Sequence, residues 1–86
     1  LMELTLEIKK TIEEALEESE VHVLDPMQDQ THLEAIVISS SFEGMPLVRR
    51  HQRVMKPLSQ HFATKLHALA LKTYTPQEWE VKRSQS

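Results

Sequence analysis

The run Ala35–Ile38 (AIVI) constrains this chain more than any other stretch. Four consecutive apolar residues place hydrophobic side chains on both faces of a strand, so such a segment belongs at the centre of a sheet covered on each side. It lies within Thr31–Ser40 (THLEAIVISS), which reads as a strand. A shorter strand, Val21–Asp25 (VHVLD), precedes it and is ended by Pro26. The polar connection PMQDQ is short, so these two strands are expected to form a hairpin-like antiparallel pair.

The third strand is expected at Leu66–Thr73, and a helical region separates it from the second. Within that region, SFEGMP is a turn holding the only glycine, Gly44, a natural site for positive φ. Pro46 suits the first turn of a helix. Leu47, Val54, Met55, Leu58 and Phe62 then form an apolar stripe over residues 46–62. Pro57 interrupts it: the residue lacks an amide hydrogen and its ring crowds the carbonyl at Arg53, so a kink or break near Arg53–Lys56 is expected. Two strands joined through a helix run parallel by a right-handed crossover.

Glu3–Ser19 reads as an amphipathic helix with Leu4, Ile8, Ile12, Ala15 and Leu16 on one face. At the other end, Thr75, Pro76 and Glu78 form a capping box with proline at the first helical position. The helix it starts is expected to carry Trp79 and Val81 inward and to dissolve into a disordered tail within 81–86. The result is an α+β fold, α-β-β-α-β-α, with a three-stranded mixed sheet and helices packed on it. At 86 residues the chain is expected to be one domain, 1–86.

Composition narrows the chemistry. There is no cysteine, hence no disulfide and no thiolate metal site built by this chain alone. One glycine leaves little room for a phosphate-cradling loop, and neither GxSxG nor HExxH occurs, so catalysis is not expected. No apolar run is long enough for a transmembrane helix. The stretch LMELTLEIKK, with Leu1 before Met2 as a non-standard start or a residue foreign to the natural chain, is acidic and amphipathic rather than a signal peptide, so a cytoplasmic protein is expected.

The net charge of -3 conceals an asymmetry: residues 1–43 hold eleven acids against two bases, whereas Gly44 to Gln77 contains no acid. An acidic side and a basic side are therefore expected. The cluster RRHQR, with Arg49, Arg50, Arg53 and Lys56, is spaced to meet phosphates or an acidic protein, although charge clusters on helices are most often solvated surface. The histidines, at 22, 32, 51, 61 and 67, are candidate ligands for borderline metals or iron, although a lone histidine is more often a packing or surface residue.

The blocks THLEAIVISSSFEGMPLVRRHQRV and LHALALKTYTPQEW resemble the BolA family, in order and over most of the chain. The KPL around Pro57 and the short PMQDQ connection are similar to its small IbaG-like branch. The resemblance implies a type II KH-like topology and a partner, a monothiol glutaredoxin of the CGFS type. It implies a [2Fe-2S] cluster shared with that glutaredoxin and glutathione, in a heterodimer without catalytic activity. It implies His67 as a ligand at the start of the last strand. Many relatives carry a second ligand, Cys or His, in the loop between the first two strands. Here that loop has neither, and His32 is the substitute. His51 matches a family histidine read as structural or partner-facing. DNA contact through Arg49, Arg50, Arg53 and Lys56 is the alternative role, with the isolated chain a monomer or weak dimer.

Overall fold

The computed structural model describes residues 3–85. The elements are α1 (Leu4–Ala15), β1 (Ser19–Leu24), β2 (His32–Ser39), α2 (Leu47–Met55), α3 (Ser59–Thr64), β3 (Ala68–Tyr74) and α4 (Pro76–Ser84), with 3-10 turns at Ser40–Phe42 and Lys56–Leu58. The sheet has the order β1-β2-β3. β1 runs antiparallel to β2, with Val21 opposite Val37, and β3 runs parallel to it, with Ala35 opposite Leu71. The strand carrying the apolar run is thus the central one, as its two-sided pattern requires.

The core lies between α1 and one face of the sheet. Leu4, Ile8, Ile12 and Leu16 meet Val21, Leu33 and Val37, and Phe42, Val54, Leu58 and Leu66 close the layer. On the other face, α4 covers one end of the sheet, where the Trp79 ring lies 5.3 Å from Tyr74 and 6.3 Å from His22, centroid to centroid. Ile38 is buried on that side. Residues 35–38 therefore contribute to both layers.

α1 is shorter than the sequence suggests. Leu16 is already extended, at φ -135°, yet stays buried as the last core residue. The chain then turns through Glu18 at φ 54°, with the Ser19 hydroxyl donating to the Leu16 carbonyl at 2.7 Å, and β1 begins at Ser19. The next helical region breaks as Pro57 demands: α2 ends at Met55, a 3-10 turn spans the proline, and α3 resumes at Ser59. Gly44 takes φ +74° with open space where a Cβ would stand, so its role is the backbone conformation alone.

Three expectations at the helices are corrected. The tail is helical to Ser84 rather than disordered from 81: both halves of the Thr75–Glu78 capping box are formed and Arg83 pairs with Glu80 at 2.7 Å one turn apart. Ser86 lies outside the described residues. Val81 does not point inward but is 55% exposed, and Leu47 is 62% exposed instead of joining the core stripe. Both flank a cleft between α2 and α4.

Arg50 joins those two helices. Its side chain is 9% exposed, forks onto Glu78 at 2.7 and 3.2 Å, donates through Nε to the Met45 carbonyl at 2.8 Å, and lies 5.7 Å over the Phe42 ring. Bidentate pairing, a satisfied third donor and a ring beneath make this a structural arginine. The Arg50 hydrogen bonds, followed by the Thr75 amide, hold the Glu78 carboxyl below the usual glutamate range. Arg50→Met is expected to lower unfolding free energy by about 2–3 kcal/mol, since it strands the Met45 carbonyl and leaves Glu78 unpaired. Glu78→Gln should cost less, its carboxylate being 48% exposed. The lowered carboxyl stabilises the fold fully above the ordinary glutamate range and ceases to do so as pH falls through its lowered value. Urea-unfolding curves of the Gln variant and the parent should therefore separate near neutral pH and converge in acid.

Candidate functional site

His32 and His67 come together at one end of the sheet. His32 opens β2 and His67 immediately precedes β3, and the parallel register places His32 opposite Ala68. The carbonyl of Thr31 accepts from the amides of both His67, at 3.0 Å, and Ala68, at 3.1 Å. Leu66, which is 1% exposed, anchors the approach to β3 from within the core. The two rings stand 6.0 Å apart between centroids, edge to face at 75°, and both residues are exposed.

The loop between β1 and β2 fixes His32. The Asp25 carboxylate accepts from the amides of Asp29 and Gln30 at 3.1 and 3.0 Å, and from the Gln30 side chain at 2.8 Å. Gln28 and Gln30 take left-handed φ of 57° and 59°, the tight curvature that a five-residue polar connection needs. Asp29 then accepts from the amides of Thr31 and His32, each at 3.0 Å, and from His32 Nδ1 at 2.7 Å. These bonds, the His32 amide first and then the Thr31 amide, hold the Asp29 carboxyl far below the usual carboxylate range. With Nδ1–H turned to Asp29, Nε2 of His32 is the nitrogen left for a ligand, an orientation typical of carboxylate-backed metal-binding histidines. No hydrogen bond among the described residues engages the His67 ring.

Two imidazoles supply half of a four-coordinate shell. Among the described residues no group of three or more His, Cys, Asp or Glu could hold a metal ion. By themselves the described residues do not complete such a shell. Asp29 was not singled out in the sequence, although an acid three residues before a histidine in a tight turn is a legible signal for such backing.

The other histidines are engaged elsewhere or stand alone. His22 meets Glu20 at 2.6 Å and stacks on Trp79, and His61 contacts the Thr11 hydroxyl at 3.3 Å. His51 is exposed on α2, apart from the pair. The basic set divides. Arg49, Arg53 and Lys56 are exposed, recur at helical spacing on one face, and have no ion-pair partner among the described residues. Arg50 is removed from the set by its burial against Phe42 and Glu78. Lys65, just past the end of α3, is likewise occupied, reaching Glu7 of α1 at 3.2 Å.

Comparison with known proteins places this architecture. A family profile described as BolA-like protein matches residues 4–78. The chain is 38% identical over 74 residues to the acid stress protein IbaG of Escherichia coli K12, covering 85% of this chain and 84% of that one. It is 37% identical over 71 residues to the DNA-binding transcriptional regulator BolA of Vibrio cholerae, covering 83% and 66%. Among solved structures, a BolA homologue from Coxiella burnetii superposes with a TM-score of 0.75 at 43% identity, over 88% of this chain and 95% of that one. BolA1 from Arabidopsis thaliana gives 0.81 at 32% identity, over 91% and 98%. Sequence and fold agree, and the chain belongs to the BolA-like protein family.

Proposed function

We propose that the protein is a non-catalytic adaptor that binds a monothiol CGFS glutaredoxin and shares a [2Fe-2S] cluster with it. The observation that carries this reading is the exposed His32–His67 pair, 6.0 Å between ring centroids, with Nε2 of His32 left open by Asp29. A two-histidine, cysteine-free donor set is incomplete by itself and complementary to a partner that brings thiolates. Neutral imidazole in place of thiolate raises a cluster's reduction potential, as in Rieske-type centres. The chain's own contribution is positional. The Thr31 carbonyl holds the His67 backbone, and Asp29 sets the His32 tautomer.

A second reading, contact with DNA, is favoured by the name of the Vibrio cholerae relative, a DNA-binding transcriptional regulator, and by the exposed cationic face of Arg49, Arg53 and Lys56. Phosphates would meet that face in a salt-dependent way. Arg50 takes no part in it.

Anaerobic reconstitution with a CGFS glutaredoxin and glutathione, followed by visible circular dichroism, tests the first reading. The His67→Ala variant should lose the mixed-ligand spectrum, and an unchanged spectrum would remove His67 from the role. Asp29→Asn should loosen the apo loop, speeding amide exchange at Thr31 and His32 by about fivefold. Exchange rates equal to those of the parent would show that Asp29 does not hold His32. For the second reading, replacing Arg49, Arg53 and Lys56 together by Ala should make the plot of log affinity against log salt shallower by about 2–3. No gel retardation of the parent at low salt would end it.

A further inference from the structure

β3 is an edge strand, paired with β2 on one side only. The Ala68 amide turns toward β2, where it meets the Thr31 carbonyl. Alternate residues of a strand send both main-chain groups to the same side, so those of Leu69, Leu71 and Thr73 face away from the sheet. Such a row of unpaired donors and acceptors is a template for another extended chain.

At the C-terminal end of this edge lies a cleft of about 520 Å³ between α2, beneath the sheet, and α4, above it. Met45, Leu47, Tyr74 and Val81 give it apolar walls. Leu47 and Val81 are 62% and 55% exposed, large apolar side chains that no described residue covers. Two polar features meet in the same cleft. α2 starts there without a side-chain cap: the Arg50 amide is the first to bond, to the Pro46 carbonyl, and the amides of residues 47–49 find no acceptor among the described residues. The Thr73 hydroxyl belongs to a wall residue only 6% exposed and is the one buried side-chain polar atom without a partner among the described residues. Lys82 also lines the cleft and has no ion-pair partner among them.

We propose that this edge and cleft dock the C-terminal end of a partner polypeptide. The segment adds as a fourth strand parallel to β3. Its last, apolar side chain enters the cleft, and its terminal carboxylate meets the open first turn of α2 and the Lys82 ammonium. Each part of the surface selects for this occupant. The open edge asks for a peptide backbone, which a free fatty acid lacks. The apolar walls disfavour nucleic acid, whose phosphates would be desolvated there. The helix terminus and Lys82 ask for an anion beside the apolar group. The site is separate from His32 and His67, which lie at the other end of the sheet, so it stands or falls independently of the cluster reading.

The probe is a display library of random octapeptides with free C-termini, screened against the full chain. Enrichment of sequences ending in an apolar residue is expected. For a selected peptide, amidating the terminal carboxylate should weaken binding about tenfold. N-methylating alternate backbone amides should abolish it. The exposed-rim variant Leu47→Lys/Val81→Lys should also abolish it while leaving the far-UV spectrum of the protein unchanged. Amide shifts in the labelled protein should concentrate at residues 45–49, 69–74 and 81–85. A library that enriches nothing would overturn the proposal. So would selected peptides indifferent to both amidation and N-methylation, or sedimentation showing that a second copy of the chain covers the β3 edge at micromolar concentration.

Discussion

The carbonyl of Thr31 is a small feature on which the candidate site depends. By accepting from the amides of both His67 and Ala68, it starts the parallel ladder between β2 and β3 and fixes its register. Slipping a strand by one residue would exchange the two faces of β3. Leu69, Leu71 and Thr73 would leave the core side, and His67 would no longer come up beside His32. The crossover that makes this register possible runs through α2, the proline-broken turn and α3, so the site is assembled from segments more than thirty residues apart in sequence. Loop closure over that distance costs conformational entropy, and the buried layer of Val54, Leu58 and Leu66 offsets it.

A second clamp works at the opposite end of the sheet. Arg50 ties the start of α2 to α4 and rests on Phe42, which is fully buried. The arginine is screened by protein on one side and its glutamate partner is half in water on the other. The pair therefore supplies orientation more than raw stability. Its consequence for function is subtractive. A residue that reads as part of a cationic docking face is spent on architecture, and the available face narrows to Arg49, Arg53 and Lys56. The acidic and basic stretches of the chain are likewise not wholly separate surfaces, because Lys65 reaches Glu7.

Much of the fold was legible in sequence because its signals are local. The two-sided apolar run found the central strand, Pro57 found the break, and Thr75 with Pro76 and Glu78 found the last helix start. The misses share a different cause. The end of α1 depends on a left-handed Glu18, a conformation that glutamate does not advertise. The persistence of α4 to Ser84 depends on side-chain pairing within the helix, and the outward turn of Leu47 and Val81 depends on where the helix axes lie. At the candidate site, His67 was singled out through family resemblance, and His32 only as a substitute for an absent loop ligand; their coming together was not legible. Asp29, which holds His32, went unread because its role is a hydrogen bond made by the folded loop.

The element order, the central strand and the lack of cysteine were legible in the chain, since they follow from periodicity, turn chemistry and composition, whereas His32 and His67 were singled out only by resemblance to a family. That the two imidazoles meet edge to face, that Arg50 is buried, and that an uncapped helix start opens into an apolar cleft emerged with the folded chain. These are facts of register and of helix packing. They arise from contacts between residues distant in the chain, which no local pattern encodes.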